Sequence, residues 1–433
     1  MYNTIKQLSE KHEDYVIEKR RDFHKYPETG WLEVRTASII AQTLKDLGYE
    51  VITGENLIKT SSRMGVPSQD ILEHNSLRAK EELDDLRYFD IVKEGMTCVA
   101  GVLKNGEGPT IALRFDIDAL GLSEDLSHTH FPFIHQFHST HDFIHHACGH
   151  DGHCAIGLGV ARMLCDIKEH IHGTVKLIFQ SAEEGVRGAK CICDSGFLDD
   201  VDCIIAGHIM PSDEDYDVYF GMNESFATTK LDVVYHGVSS HSAKDPHLGK
   251  NAILSAANCI VNLYAIPRHG DGKTRINVGT VHGGTSRNTI SEEARLEIEI
   301  RGETTELNEY METYAKDIIQ ASASMHGTIV EIHEAGKAYA LHCNEEFMNE
   351  LRQLCINHLP DLSLPPHNLS PLGASDDFSY MMECVSKHGG KATYMKLLTP
   401  TVGSLHNSSY DFDEQILKKA TRLFTSIIYN QLK

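Results

Sequence analysis

The sequence predicts an α/β fold: a mostly parallel-stranded principal domain carrying an inserted ferredoxin-like βαββαβ unit. Short, almost wholly apolar runs alternate with stretches of helical periodicity, the pattern of a parallel sheet covered on both faces. Polar residues gather directly after three of those runs, where open α/β sheets collect functional groups. Beyond Asn223 the order changes to strand, helix, strand, strand, helix, strand. At 433 residues the chain exceeds one small core, and two domains or one large α/β domain with an insertion both fit that length.

Residues 4–24 place Ile5, Leu8, Tyr15, Val16 and Phe23 near one helical face, and Pro27 ends the pattern. A second helix starts near Thr36 with Ile40, Ala41, Leu44 and Leu47 inward and Gly48 as its stop, followed by a strand over 49–53. Residues 56–94 are rich in charge and read as an irregular insertion with some helix. The apolar run from Thr110 ends at Asp116-Ile117-Asp118, the run 173–180 ends at Ser181-Ala182-Glu183-Glu184-Gly185, and the run 202–207 ends at His208. Between the first two lies a helix with Ile156, Val160, Met163, Leu164 and Ile167 on one side.

In the βαββαβ unit the strands are expected over 229–236, 274–281, 294–301 and 328–333, with helices over 251–265 and 306–323. Residues 223–336 are therefore assigned to the inserted domain, and 1–222 with 337–433 to the principal one. The alternation of Arg295, Glu297, Glu299 and Arg301 with Leu296, Ile298 and Ile300 reads as a solvated strand face. A loop containing Gly373-Ala374-Ser375-Asp376-Asp377-Phe378, another containing His406-Asn407, and a closing helix that buries Leu417, Ala420, Leu423, Phe424, Ile427 and Ile428 complete the chain.

Lys and Arg total 40 against 62 Asp and Glu, a net charge of −22 that repels phosphate backbones and anionic lipid, so neither nucleic acid nor membrane is an expected partner. The first 28 residues lack the apolar core of a signal peptide, and no apolar run approaches a bilayer span; a soluble cytoplasmic protein is expected. The 11 cysteines are odd in number, scattered and without disulfide spacing, as expected of reduced thiols.

The densest set of metal-ligating side chains is His145-His146-Ala147-Cys148-Gly149-His150-Asp151-Gly152-His153. One glycine between Cys148 and His150 allows a tight turn to aim a thiolate and an imidazole at one divalent cation. His128, His130, His135, His138 and His141, just upstream, read instead as histidines of a polar loop. Glu183 and Glu184 are adjacent in a turn and point in different directions, so Glu184 can bind metal while Glu183 acts as general base. For Asp116 two readings stand: a carboxylate that orients a ligating imidazole, or an ordinary strand-end aspartate. Cys191-Ile192-Cys193 reads as helix packing.

Three segments occur in order: Arg114-Phe115-Asp116-Ile117-Asp118-Ala119-Leu120, His146-Ala147-Cys148-Gly149-His150-Asp151-Gly152-His153 and Phe179-Gln180-Ser181-Ala182-Glu183-Glu184-Gly185. They resemble the amidohydrolase branch of the aminoacylase and carboxypeptidase G family of metallopeptidases, and the likeness runs essentially end to end. Within that branch the chain looks most like the A-type subunits of p-aminobenzoyl-glutamate hydrolases, through Ser61-Ser62-Arg63-Met64-Gly65, Ala227-Thr228-Thr229-Lys230 and Tyr410-Asp411-Phe412-Asp413-Glu414-Gln415.

The resemblance implies two divalent ions, manganese with zinc as the alternative, held by Cys148, His150, Glu184, His208 and His406. It implies Glu183 as base, His241 as a histidine that reaches from the second domain into a partner's site to stabilise the oxyanion, and Asn288 and Arg301 as substrate-holding residues. The second domain becomes a dimerisation and lid domain, and the partners a small N-acyl amino acid, a second copy of the chain, or a homologous second subunit. Arg114 stands where more distant relatives place a ligating histidine, so Cys148 replaces that coordination. The implied reaction is hydrolysis of an N-acyl amino acid, p-aminobenzoyl-glutamate or a related folate fragment; a general deacylase or dipeptidase, and a partner-dependent subunit, are the alternatives.

Overall fold

The computed structural model describes residues 1–433. In chain order the main strands are β1 (Glu50–Thr53), β2 (Val99–Asn105), β3 (Thr110–Asp116), β4 (Gly173–Gln180), β5 (Cys203–Pro211) and β6 (Val218–Tyr219). Then come β7 (Ala227–His236), β8 (Thr274–Gly283), β9 (Glu293–Gly302), β10 (Ile329–Ala338) and β11 (Lys391–Thr399). The large sheet runs β1-β2-β4-β3-β5-β11-β6, and its centre, β4, β3, β5 and β11, is parallel.

Burial on both faces explains the unbroken apolar runs. Ile111, Leu113, Phe115, Val175, Leu177, Phe179 and Ile205 enter one core beneath the helices Glu13–Lys25, Val34–Asp46, His150–Asp166 and Gln415–Leu432. The alternate residues Ala112, Ile178, Ile204 and Ala206 enter a second core with Ala189, Ile192, Phe378 and Met381. The mostly parallel α/β sheet expected from the sequence is thus present. All eleven cysteines are free, and no helix is long and apolar enough to cross a membrane.

The small sheet runs β8-β9-β7-β10, every neighbour antiparallel, with the helices Ala252–Tyr264 and Thr305–His326 packed on one face through Leu231, Val233, Tyr235, Leu296, Ile298 and Ile300. This strand order and the βαββαβ sequence of elements make it ferredoxin-like. Ala338 on β10 pairs with Thr228 on β7, so the chain enters and leaves the small sheet at the same end.

Several elements depart from expectation. Residues 4–24 form two helices, Tyr2–Lys11 and Glu13–Lys25, because His12 leaves helical geometry while its Nε2 contacts Asp166 at 2.7 Å. The run ending at His208 continues as β5 to Pro211, held by pairing with β11 that includes His208 against Lys396. The 56–94 segment, by contrast, holds some helix as expected, the 13 residues Gln69–Glu81. Of the histidines assigned to a polar loop, His130 is buried against Glu124, and His141 contacts the Pro27 carbonyl and Glu82, each at 2.7 Å.

Candidate metal centre

The centre lies at the carboxyl ends of β3, β4 and β5. Gly149, in the left-handed region at φ +84°, turns the chain between Cys148 and the first residue of the helix His150–Asp166. A side chain there would also crowd the Tyr410 hydroxyl, 3.1 Å from an added Cβ. The turn brings Cys148 Sγ to 3.5 Å from His208 Nε2.

Donor atoms of Cys148, His150 and His208 lie within 4.8 Å of one another, as do those of Cys148, Glu184 and His406, so Cys148 belongs to both sets. The structure therefore brings together all five residues expected as ligands. His150 Nδ1 donates to the Asp118 carbonyl at 2.8 Å and His208 Nδ1 to the Ile209 carbonyl at 2.8 Å, which turns both Nε2 atoms inward. His150 Nε2 and Glu184 Oε1 are buried without a hydrogen-bond partner, the nearest cation to the latter being His406 Nε2 at 3.4 Å. Orphaned buried donors of this thiolate, imidazole and carboxylate chemistry fit divalent ions.

Glu183 and Glu184 sit on a turn that only outside support can hold. Ala182, Gly185 and Val186 all have positive φ, at +52°, +90° and +61°. The Asp118 carboxylate accepts the backbone N–H groups of Glu183 and Glu184, both at 3.0 Å, and buried Glu33 accepts that of Ala182 at 2.9 Å. The two glutamates meet opposite fields. Burial, with Asp376 and Glu184 nearby, pushes the Glu183 carboxyl well above the usual range. Burial would raise Glu184 too, but the nearby imidazoles of His406 and His150 hold it below.

Asp116 hydrogen-bonds His153, whose Nε2 accepts from the Ile209 N–H at 2.9 Å, and lies 3.8 Å from His150 Nε2. Despite burial, His150, His153 and Arg114 hold its carboxyl well below the usual range. Arg114, fully buried, donates to Gln180 at 2.9 Å, pairs with Asp116, and reaches Asp376 at 3.2 Å and Asp377 at 3.4 Å. Arg114 thus anchors three carboxylates behind the centre.

The remaining expected residues lie within 223–336 and do not join this cluster. His241 is exposed on a short ribbon where it pairs with Thr289, and Asn288 beside it accepts from the Ser286 hydroxyl at 2.9 Å. Arg301 is half-buried, clamped by Glu299 at 3.0 Å through two nitrogens, and its third nitrogen is 3.4 Å from the Ser375 hydroxyl. Lys230, paired in register with both Glu299 and Gly336, is half-buried on the same helix-free face. Burial lowers its ammonium pKa although Glu299, Glu183 and Glu184 act on it in the opposite sense. Gly336 rests against the turn itself: a Cβ there would stand 2.1 Å from the Gly185 carbonyl oxygen, and the next N–H, of Lys337, donates to the Val186 carbonyl at 2.9 Å.

The profile of peptidase family M20/M25/M40 matches residues 112–430. The chain belongs to that family. It is 39% identical to indole-3-acetyl-aspartic acid hydrolase of Enterobacter agglomerans over 92% of its length and 91% of that protein. It is 37% identical to the A-type chain of p-aminobenzoyl-glutamate hydrolase of Escherichia coli over 95% of its length and 94% of that protein. Its fold superposes on the crystal structure of aminobenzoyl-glutamate utilization protein from Klebsiella pneumoniae with a TM-score of 0.84, at 32% identity, covering 98% of this chain and 97% of that one. The chain is thus a metal-dependent amidohydrolase of the M20/M25/M40 family.

For this M20-family chain, reading the sequence missed four residues that shape the centre: Glu33, Arg114 in its anchoring role, Asp118 and Lys230. Asp118 was within reach, since it follows Asp116 by two positions beyond the same strand end. Glu33 lies 149 positions from its partner Ala182, and no local pattern marks it.

Proposed function

We propose that the chain hydrolyses the amide bond of p-aminobenzoyl-glutamate, giving p-aminobenzoate and glutamate, at a pair of divalent ions, manganese first and zinc as the alternative. The observation that carries this reading is the opposed environment of two adjacent glutamates. A carboxyl pushed upward takes up a proton more readily than a free one, whereas one held low stays an anionic ligand. Cys148, His150 and His208 would hold one ion and Cys148, Glu184 and His406 the other. When bound, such ions supply Lewis acidity that lowers the pKa of water and polarises a carbonyl.

Glu183, whose carboxylate is 3.9 Å from His150 Nε2, takes a proton from the attacking water and passes it to the amide nitrogen of the departing glutamate. Oxygen adds to the carbonyl carbon, the C–N bond breaks, and water's atoms are divided between the two products. His241 of the partner subunit steadies the oxyanion; its exposed position, away from its own chain's cluster, favours donation across a dimer. Residues 223–336 then serve as the dimerisation and lid domain for the catalytic portion, 1–222 and 337–433. Arg301 and Lys230, two cations for the two acids of glutamate, receive the substrate carboxylates, and Asn288 of the partner subunit enters beside its His241. The reaction belongs to folate breakdown in the cytoplasm.

The relative that cleaves indole-3-acetyl-aspartate, by its name, favours a second reading, an aryl-acyl aspartate; both substrates join an aromatic acyl group to an acidic amino acid. The test is release of free amino acid by the purified single chain, loaded with manganese or zinc, from p-aminobenzoyl-glutamate, indole-3-acetyl-aspartate, hippurate and a neutral dipeptide. Preference for the glutamate conjugate is expected. Preference for hippurate or the dipeptide replaces the reading with a general deacylase or dipeptidase, and activity only after adding a homologous second chain assigns this one to a heteromeric hydrolase.

A further inference from the structure

We propose that the chain holds a zinc ion at a separate, closed site formed by His24, Glu124, His130 and His145, distinct from the centre around Cys148. The four side chains come from three places: the helix Glu13–Lys25, the histidine-rich loop after β3, and the segment that leads into Cys148. All are secluded, with side-chain exposures of 0% for His24 and His145 and 1% for Glu124 and His130.

Three imidazole nitrogens converge on one carboxylate oxygen. Glu124 Oε1 lies 2.9 Å from His24 Nε2, 2.9 Å from His130 Nε2 and 3.7 Å from His145 Nε2. Tetrahedral zinc with bonds of about 2.0–2.2 Å sets neighbouring donor atoms roughly 3.3 Å apart, a value that the three spacings from Glu124 bracket. The donors of His24, Glu124 and His145 also lie within 4.8 Å of one another.

The rings are set for ligation. His24 Nδ1 contacts Asp151 at 2.8 Å, and Arg20 holds Asp151 at 2.9 Å, a carboxylate–imidazole pair that faces Nε2 toward Glu124. Hydrogen bonds to Glu124 alone would account for His24 and His130. They leave His145 unserved: both its ring nitrogens are buried without a partner, which is costly for a polar group. An ion bound through His145 Nε2 gives one of those two nitrogens a partner.

Three imidazoles and a carboxylate, with no thiolate, suit zinc, and four protein donors leave no open position for substrate, which makes the site structural. Its consequence is mechanical. The ion ties the loop and the N-terminal helix to the residue three positions before Cys148, fixing the segment that presents the thiolate.

Chelator-stripped full-length protein is saturated with zinc chloride, freed of excess and its zinc counted, alongside His130→Gln and His145→Gln. Wild type is expected to retain one zinc per chain more than either variant; equal contents in folded variants overturn the proposal. Should the variants fail to fold, anomalous diffraction from zinc-saturated wild-type crystals decides. A peak within bonding distance of Glu124, His24, His130 and His145 supports the site, and no peak there overturns it.

Discussion

Glu183 and Glu184 share a turn, yet the charges around them differ. Glu184 faces His406 and Cys148; Glu183 faces Asp376 and is the more secluded. Glu183→Ala is therefore expected to lower kcat about 10²–10⁴-fold while metal content by elemental analysis stays at the wild-type level. Turnover near wild type would remove the proton-transfer role. Lys230 makes a prediction of the opposite kinetic kind. Lys230→Met deletes a positive group from the helix-free face, so KM for p-aminobenzoyl-glutamate should rise about tenfold to a hundredfold with little change in kcat, as loss of a charge-assisted contact implies; an unchanged KM would exclude it from carboxylate binding. Cys148, His150, Glu183, Glu184 and His208 were legible in the sequence because core packing does not account for polar groups gathered just past apolar strands. Lys230 was not. It sits within a strand whose alternation is the same for a solvated face as for the wall of a cleft.

At the scale of elements, the closing helix Gln415–Leu432 is fastened by an ion pair beyond its apolar stripe. Arg422 hydrogen-bonds Asp361, to which Lys6 also reaches at 3.4 Å, and this lowers the Asp361 carboxyl to about 2. A depressed carboxylate stabilises the fold above its unfolded pKa near 4 and loses that contribution as pH falls through about 2. Because Asp361 is 45% exposed, Asp361→Asn should cost about 1 kcal/mol or less at pH 7. That gap in urea stability should narrow steadily below pH 4; a gap independent of pH would show that the pair contributes nothing. The closing helix and the small-sheet strands were readable because their periodicities are long. The break at His12 and the extension of β5 to Pro211 were not, since each depends on a distant partner, Asp166 in one case and β11 in the other.

For the whole molecule, the separation of His241 from its own cluster makes subunit exchange informative. Glu183→Ala and His241→Ala chains, each inactive alone, should recover part of the wild-type rate when mixed, since one site of a mixed dimer would be intact. Verified mixed dimers without recovery would place His241 outside the reaction.

The seat of Gly336 on the Gly185 carbonyl has a consequence for how this protein can move. Both connections to the small sheet lie at that end, and β7 carries the fold about 30 Å onward at roughly 3.3 Å per residue. Any swing of the small sheet thus has its fulcrum beside the paired glutamates and its greatest sweep near His241, so the cluster around Cys148 stays almost still while the far tip travels.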